Sequence, residues 1–284
     1  MQVSELLKEE LIQPKEMPKL SPSSINLYAQ DPALWVLKHY YGSTGMFNIY
    51  AMRGVSIEEG VNEYFSLQSQ GKCPAASLLD AVKLAQGDFT TKSFFWDDDE
   101  IVTDLEQKIA PWVLQSIGAL EENFPNELPK MQTEIETEIE GMPIRGFMDY
   151  SFVVIDVDLK TCNTLPSIVS RGARKGMLPA DKRANVRQQA IYSHATHGQD
   201  VALAYVTHDD YLIHELGEKE LDEAMESVVA LIKEMKELVS LPIEEVIERT
   251  VPKWKSMGYS FYWDANLTSL AEIIWSNYKE DEGY

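Results

Sequence analysis

The stretch from Thr133 to Thr161, TEIETEIEGMPIRGFMDYSFVVIDVDLKT, decides the fold. Thr133 to Glu140 alternates strictly, with a glutamate at every second position and Thr133, Ile135, Thr137 and Ile139 between them. Successive side chains of an extended chain point to opposite faces, so this is a half-buried strand with carboxylates on its wet side. Gly141-Met142-Pro143 is expected to make the turn. Ile144 to Phe152 and Val153 to Thr161 continue as β-rich sequence. The second of these, packed with Val153, Val154, Ile155 and Val157, belongs in the middle of a sheet. Three strands in a row imply a meander.

The alternation also sorts the charges. Asp156, Asp158 and Lys160 share one face of their strand, while Val157 and Leu159 take the other. One reading is an edge strand with a solvated ion pair. The other starts from the cost of burying unpaired charge, on the order of several kcal/mol, which a metal or an ion pair must offset. Paired carboxylates suit a hard cation such as Mg²⁺ or Mn²⁺, and a lysine two residues on could orient or deprotonate a water.

Upstream, the sequence predicts helices. Ser21-Pro22 starts one to about Ala29, Asp31-Pro32 starts another carrying Trp35, Tyr40 and Tyr41, and a longer one covers Ile49 to Gln70. Two more are expected, Ala75 to Gln86 and Asp99 to Asn123. The residues before Pro18 read as an acidic helix. Downstream, a loop from Cys162 to about Ala180 leads to a helix over Lys182 to Thr196, and Asp200 to Val206 with Tyr211 to Leu216 form a hairpin. The remainder is helical, with Glu218 to Val239 and Ser269 to Tyr278 amphipathic.

The 284 residues, 44% hydrophobic and 25% charged, can bury one sizeable core. The expected division is a core over residues 1–216 with a helical C-terminal extension over 217–284. A formal charge of −21 disfavours generic adhesion to nucleic acid or membranes. The bases are nevertheless concentrated. Arg171, Arg174, Lys175, Lys182, Arg183 and Arg187 face only Asp181 in that segment. This gives +5 over 17 residues against −26 elsewhere. Such a run is either a solvated face or a patch for phosphates, with Gly172 and Gly176 making the loop mobile enough to fold onto a backbone.

Two cysteines provide neither a disulfide framework nor a four-cysteine cluster, which points to a reducing, cytoplasmic setting. No apolar run approaches the ~18 to 20 residues of a membrane span. His194 and His197 are explained by a helix surface, and Cys162 by a small buried position. Tyr259 to Trp263 either packs on the core or stacks bases.

Four segments occur in a familiar order: Arg53-Gly54-Val55-Ser56-Ile57-Glu58, Gly146-Phe147-Met148-Asp149, Val157-Asp158-Leu159-Lys160-Thr161, and Gln188-Gln189-Ala190-Ile191-Tyr192. Together, over about Leu20 to Leu216, they resemble the PD-(D/E)xK nuclease superfamily, in particular its phage-type, RecB-like exonuclease branch. The resemblance implies an α/β, restriction-endonuclease-like core, a mixed and mostly antiparallel sheet flanked by helices. It implies Mg²⁺ or Mn²⁺ held by Asp149, Asp158, the Leu159 carbonyl and Glu58, with Glu59 as the alternative to Glu58. Lys160 would activate the water, and Gln188 and Tyr192 would complete the pocket. Asp156 would be a supporting carboxylate behind these. Where the iron-sulfur members carry a cysteine before the proline, Asp31 stands, so no such cluster is expected.

The expected activity is Mg²⁺-dependent DNA exonuclease action without sequence specificity, in phage-type recombination, replication or DNA degradation. Its partners would be DNA and a single-strand annealing or replication protein, in the host cytoplasm if phage-encoded. A flap endonuclease is the alternative within the class. A catalytically inactive acidic DNA mimic or assembly protein is the alternative outside it.

Overall fold

A computed structural model describes residues 20–43, 48–254 and 263–278. The residues before Leu20 and the aromatic run Tyr259 to Tyr262 lie outside this description. By backbone contacts the chain forms two units.

The larger unit comprises residues 47–136 and 146–225. It opens with α3 (Ile49–Ser69), α4 (Pro74–Ser93) and α5 (Asp99–Asn123). Asn48 accepts from Ala51 N, and Asp98 from Ile101 N, so both α3 and α5 start on a side-chain cap. The sequence ended α4 at Gln86. Gly87 weakens a helix without stopping it, and the helix continues to Ser93. Helices α3 and α4 touch at Gly60, where a Cβ would stand 2.8 Å from the Ala81 carbonyl oxygen and 2.9 Å from the Ala85 Cβ.

Five strands follow, hydrogen-bonded in the order β1-β2-β3-β4-β5. They are β1 (Lys130–Ile139), β2 (Met142–Ser151), β3 (Ile155–Thr161), β4 (Asp200–Val206) and β5 (Tyr211–Glu215). β2 pairs antiparallel with β3, β4 pairs parallel with β3, and β5 pairs antiparallel with β4. The fold is α/β, with a mixed, mostly antiparallel sheet flanked by helices. β3 is central, as its apolar density required. The parallel β3–β4 step needs a crossover, which α6 (Arg183–Ala195) supplies after a short 3₁₀ turn.

Period-two alternation assigns the faces. Ile155, Val157 and Leu159 of β3, with Ala202, Ala204 and Val206 of β4, join the core beneath α3, α4 and α5. Val201, Leu203 and Tyr205 join Val186 and Ala190 of α6 on the other side. Asp156, Asp158 and Lys160 therefore stand on the face opposite Val157 and Leu159.

Two sequence expectations are corrected here. The β1–β2 turn is Glu140-Gly141, not Gly141-Met142-Pro143. Both residues have positive φ (52° and 74°), the combination a two-residue hairpin turn needs, and β2 already begins at Met142. Val153 and Val154 are not strand residues. They form the β2–β3 turn with 82% and 65% of their surface exposed, so their β-branched character misled.

The smaller unit comprises residues 1–46, 137–145 and 226–284, described as stated above. It holds α1 (Pro22–Gln30), α2 (Pro32–His39), the β1–β2 turn, the C-terminal part of α7 (Glu218–Val239), α8 (Ile243–Arg249) and α9 (Ala265–Ile274). Ser21 and Asp31 cap α1 and α2 just ahead of Pro22 and Pro32. Trp35 Nε1 donates to Ser24 Oγ, and Trp263 Nε1 to Asp31 Oδ2, at 3.0 and 2.8 Å. Trp263 thus packs rather than presenting its ring for stacking. Among the described residues no helix is long and apolar enough to cross a membrane.

Candidate active site

The β2–β3 pairing joins Ser151 to Asp156 and Tyr150 to Val157, so the next step sets Asp149 across from Asp158. There the side chain of Asp149 enters the sheet's hydrogen bonding. Its Oδ2 accepts the Leu159 N–H at 3.0 Å. Asp158 is 1% exposed, Lys160 Nζ lies 2.5 Å from its Oδ2, and Gln188 Nε2 donates to its Oδ1 at 2.9 Å.

Gln188 and Tyr192, one turn apart on α6, share the face toward this point. Gln188 Nε2 also donates to the Tyr192 hydroxyl (2.9 Å), Lys160 Nζ donates to Gln188 Oε1 (3.4 Å), and the Tyr192 hydroxyl donates to the Phe147 carbonyl (2.7 Å). One side-chain amide therefore ties the strand carboxylate to the helix.

Glu58 approaches from α3, while Glu59 is exposed. Gln132 Nε2 donates to Glu58 Oε1 at 2.5 Å and to Asp149 Oδ1 at 3.4 Å. Nothing in the sequence singled out Gln132. Its only structural mark is a positive φ (49°) inside β1, rare for a residue other than glycine.

The electrostatics follow from crowding acids in a sheltered place. Burial, then Asp149, pushes the Glu58 carboxyl up to about 8, with Lys160 opposing and Asp158 adding to the rise. Burial pushes Asp158 up to about 7, with Lys160 holding it down and Asp149 pushing further. For Lys160, burial disfavours the charge, but Asp158 and Asp149 outweigh it and the group is raised. With these partners Lys160 is held as an ammonium. The sequence had left orienting and deprotonating a water both open.

Among the described residues no three Asp, Glu, His or Cys side chains already form a cage for a metal. Protein donors occupy the space between the acids: the Gln132 amide between Glu58 and Asp149, and the Lys160 ammonium on Asp158. The donor set still fits a hard cation. All the groups are oxygen ligands, they repel one another as anions, and Asp158 Oδ2 is buried with no aligned hydrogen-bond donor beyond its ion pair.

Asp156 does not join them. Gln199 Nε2 reaches it at 3.3 Å, and burial raises its carboxyl while Ser151 lowers it. Its hydrogen-bonding contact is with Gln199, and its Oδ2 is buried without a hydrogen-bond partner. Cys162 is half-buried, its Sγ 3.7 Å from the Val206 carbonyl oxygen.

The end of β3 is anchored by Arg53. This buried guanidinium donates to Asn163 Oδ1 (2.7 Å) and the Thr161 carbonyl (3.5 Å) and lies 4.3 Å from the Trp112 ring. Gly54 faces the same end of β3, where a Cβ would make an ordinary contact with Thr161 Oγ1 at 3.4 Å.

The basic residues are only partly an open patch. Val169 N donates to the Met177 carbonyl and Gly176 N to the Val169 carbonyl, which closes the loop into a turn with Gly172 and Gly176 at positive φ. Glu220 accepts from Leu178 N, and Lys219 Nζ donates to the Ala173 carbonyl. The loop expected to be mobile is pinned at these points. Arg171 and Lys175 are exposed at its tip, and Arg183 is exposed at the start of α6. Arg174 turns to Glu223 (3.7 Å), Lys182 to Asp181 (3.1 Å), and Arg187 adjoins Gln188 on α6.

No protein-family model matches the sequence, and no curated protein matches it. The fold does have a solved counterpart. The chain is similar to the crystal structure of a "Putative exonuclease" from Eubacterium rectale, with TM-score 0.51 and 15% identity over 84% of each chain. At that identity the likeness is one of fold. The structure of SSO0001 overlaps 51% of this chain and 69% of that one at TM-score 0.25 and 18% identity, too loosely to argue from.

Proposed function

We propose that this chain is a metal-dependent deoxyribonuclease of the PD-(D/E)xK type that degrades DNA from its ends without sequence specificity. One observation carries the reading: Asp149, Asp158 and Lys160, from three separate sequence positions, stand together with Glu58 and Gln188 around one point. The fold shared with the bacterial structure supports it.

Glu58, Asp149, Asp158 and the Leu159 carbonyl would hold Mg²⁺ or Mn²⁺. Such a cation, when bound, supplies positive charge to a phosphodiester and makes water more acidic. Lys160 donates to a phosphate oxygen or orients the attacking water. Gln188 holds Asp158 in place and sets the distance of Lys160, and Tyr192 fixes Gln188 against the Phe147 carbonyl. Arg171, Lys175 and Arg183 offer charge to the DNA backbone, contacts that position without reading bases. DNA breakdown, replication or phage-type recombination, alongside an annealing or replication protein, are settings in which such an activity would serve.

The test uses end-labelled linear duplex and closed circular DNA with Mg²⁺ or Mn²⁺, comparing the native chain with Asp158→Asn and Lys160→Ala. Linear DNA should be shortened from its ends and circles spared. Each variant should lose about a hundredfold or more while keeping its circular dichroism spectrum. Cutting of circles would instead indicate an endonuclease. Absence of metal-dependent cutting, or cutting untouched by both substitutions, would leave a binding protein on a nuclease fold.

A further inference from the structure

Glu220, in the first turn of α7, is 4% exposed and belongs to none of the contacts around Asp149 and Asp158. Both of its oxygens are engaged. Oε1 accepts the Leu178 N–H at 2.7 Å, and Oε2 lies 3.0 Å from Nε2 of His214 on β5. Leu178 is itself buried, in the cluster that holds Val186, Leu203, Tyr205 and Leu216. One carboxylate thus joins β5 and α7 to the foot of the basic loop. Two surface contacts of α7 follow the same loop. Lys219 Nζ donates to the Ala173 carbonyl at 2.8 Å, and Glu223 Oε2 lies 3.7 Å from Arg174 Nε.

Stability alone does not account for this arrangement. A carboxylate loses its hydration when it is buried, and apolar side chains in place of a buried polar pair are often as stable or more so. What the pair does supply is direction. Both Glu220 oxygens are satisfied only while the Leu178 N–H and the imidazole stay where they are. Beyond Leu178 the loop is closed by its own hydrogen bonds, Val169 N to the Met177 carbonyl at 2.9 Å and Gly176 N to the Val169 carbonyl at 2.8 Å. The exposed Arg171 and Lys175 at the tip are therefore fixed twice, by the turn that carries them and by the tie at its foot.

We propose that Glu220, held by His214, is a positioning residue for DNA: it keeps the basic loop in one place, so that Arg171 and Lys175 meet the phosphate backbone already ordered. The proposal rests on the nuclease reading above and names the groups that fix its DNA contact. A loop ordered beforehand has no freedom left to lose on binding, so the gain falls on affinity. The tie touches none of Glu58, Asp149, Asp158 or Lys160. Breaking it raises KM and leaves kcat as it was.

Two variants test this. Glu220→Gln keeps an oxygen for Leu178 and an amide for His214. The double substitution Glu220→Leu with His214→Leu removes the tie and fills its space with apolar atoms, so it should melt close to the native chain. Trypsin followed by intact mass reads the loop through cleavage after Arg171 and Lys175. Anisotropy with a labelled duplex in EDTA reads DNA affinity, and cutting with Mg²⁺ separates KM from kcat. In the double variant the loop should be cut about tenfold faster. Its DNA binding should be about tenfold weaker at an unchanged kcat, while the glutamine variant behaves as the native chain. A loop that stays closed in the double variant, an open loop with unchanged DNA affinity, or a glutamine variant as open as the double one would overturn the proposal. Unfolding of the double variant would assign the pair to the fold itself and overturn it too. Weaker DNA binding on opening, without any metal-dependent cutting, would overturn the nuclease reading and keep the positioning role. Metal-dependent cutting with a loop that stays closed would do the reverse.

Discussion

The carboxylate of Asp149 accepts the main-chain N–H of Leu159 at 3.0 Å, immediately beyond the last backbone pairing of β2 with β3. A site residue is in this way part of the sheet. Asp149 and Asp158 are held opposite each other by pairing register, so their separation does not depend on a flexible side chain finding its place.

Gln132 bridges Glu58 and Asp149, and removing that amide leaves two carboxylates facing each other with no donor between them. Gln132→Ala is expected to lower nuclease activity and weaken Mn²⁺ binding by about tenfold or more, as loss of an orienting partner does at metal sites. Isothermal titration with Mn²⁺ and a cutting assay check this. Gln132→Glu, which adds a third acid, should be worse in the metal-free protein and milder once Mn²⁺ is present.

The raised carboxyl of Glu58 makes stability depend on pH. An unfolded glutamate titrates near 4.5, whereas the folded group titrates at about 8. Between those values the native state holds more protons, so the stability of the metal-free chain falls as pH rises through that interval. In EDTA the difference in melting temperature between Glu58→Gln and the native chain should widen from about pH 5.5 to about pH 8, by several degrees. Added Mg²⁺ should close it at the higher pH, where the ligands are already deprotonated. A constant difference would refute the assignment.

Gly60 has no room for a methyl group against the Ala81 carbonyl. Gly60→Ala is expected to destabilise by about 1–3 kcal/mol, despite the better helix propensity of alanine, because it forces α3 and α4 apart. Urea denaturation followed by circular dichroism measures it.

His39 lies 4.8 Å from the Trp35 ring, with Nε2 3.1 Å from Ser24 Oγ, and burial first and Lys38 second hold it below its ordinary value. The unfolded imidazole gains its proton near 6.5 while the folded one resists, so stability declines as pH falls below that value. The urea midpoint should drop between about pH 7.5 and pH 5.5 in the native chain, and less so in His39→Gln.

Much of this was legible in the residues themselves. Strict alternation gave β1, the apolar density around Val157 placed β3 centrally, and Ser21-Pro22 and Asp31-Pro32 marked helix starts. Alternation set Asp158 and Lys160 on one face and helical spacing did the same for Gln188 and Tyr192, whereas Asp149 was singled out by the resemblance of the Gly146–Asp149 segment to the family's motif. What could not be read depended on partners distant in sequence. Gln132 has no local signature, since its role comes from Glu58, 74 positions earlier. Val153 and Val154 look like strand residues by composition, and only the tight β2–β3 connection exposes them. Arg174 counts as a base in any charge sum, but Glu223 on α7 claims it.

The parallel crossover between β3 and β4 has a bearing on assembly. Asp149, Asp158 and Lys160 leave the ribosome close together on one hairpin, while Gln188 follows only after the long connection and its helix. Closing that connection is a non-local event, slower than forming the hairpin. A nascent chain therefore carries three charged groups whose amide clamp has yet to arrive, and a cation that needs the finished cluster would bind late and pull the last stage of folding toward completion.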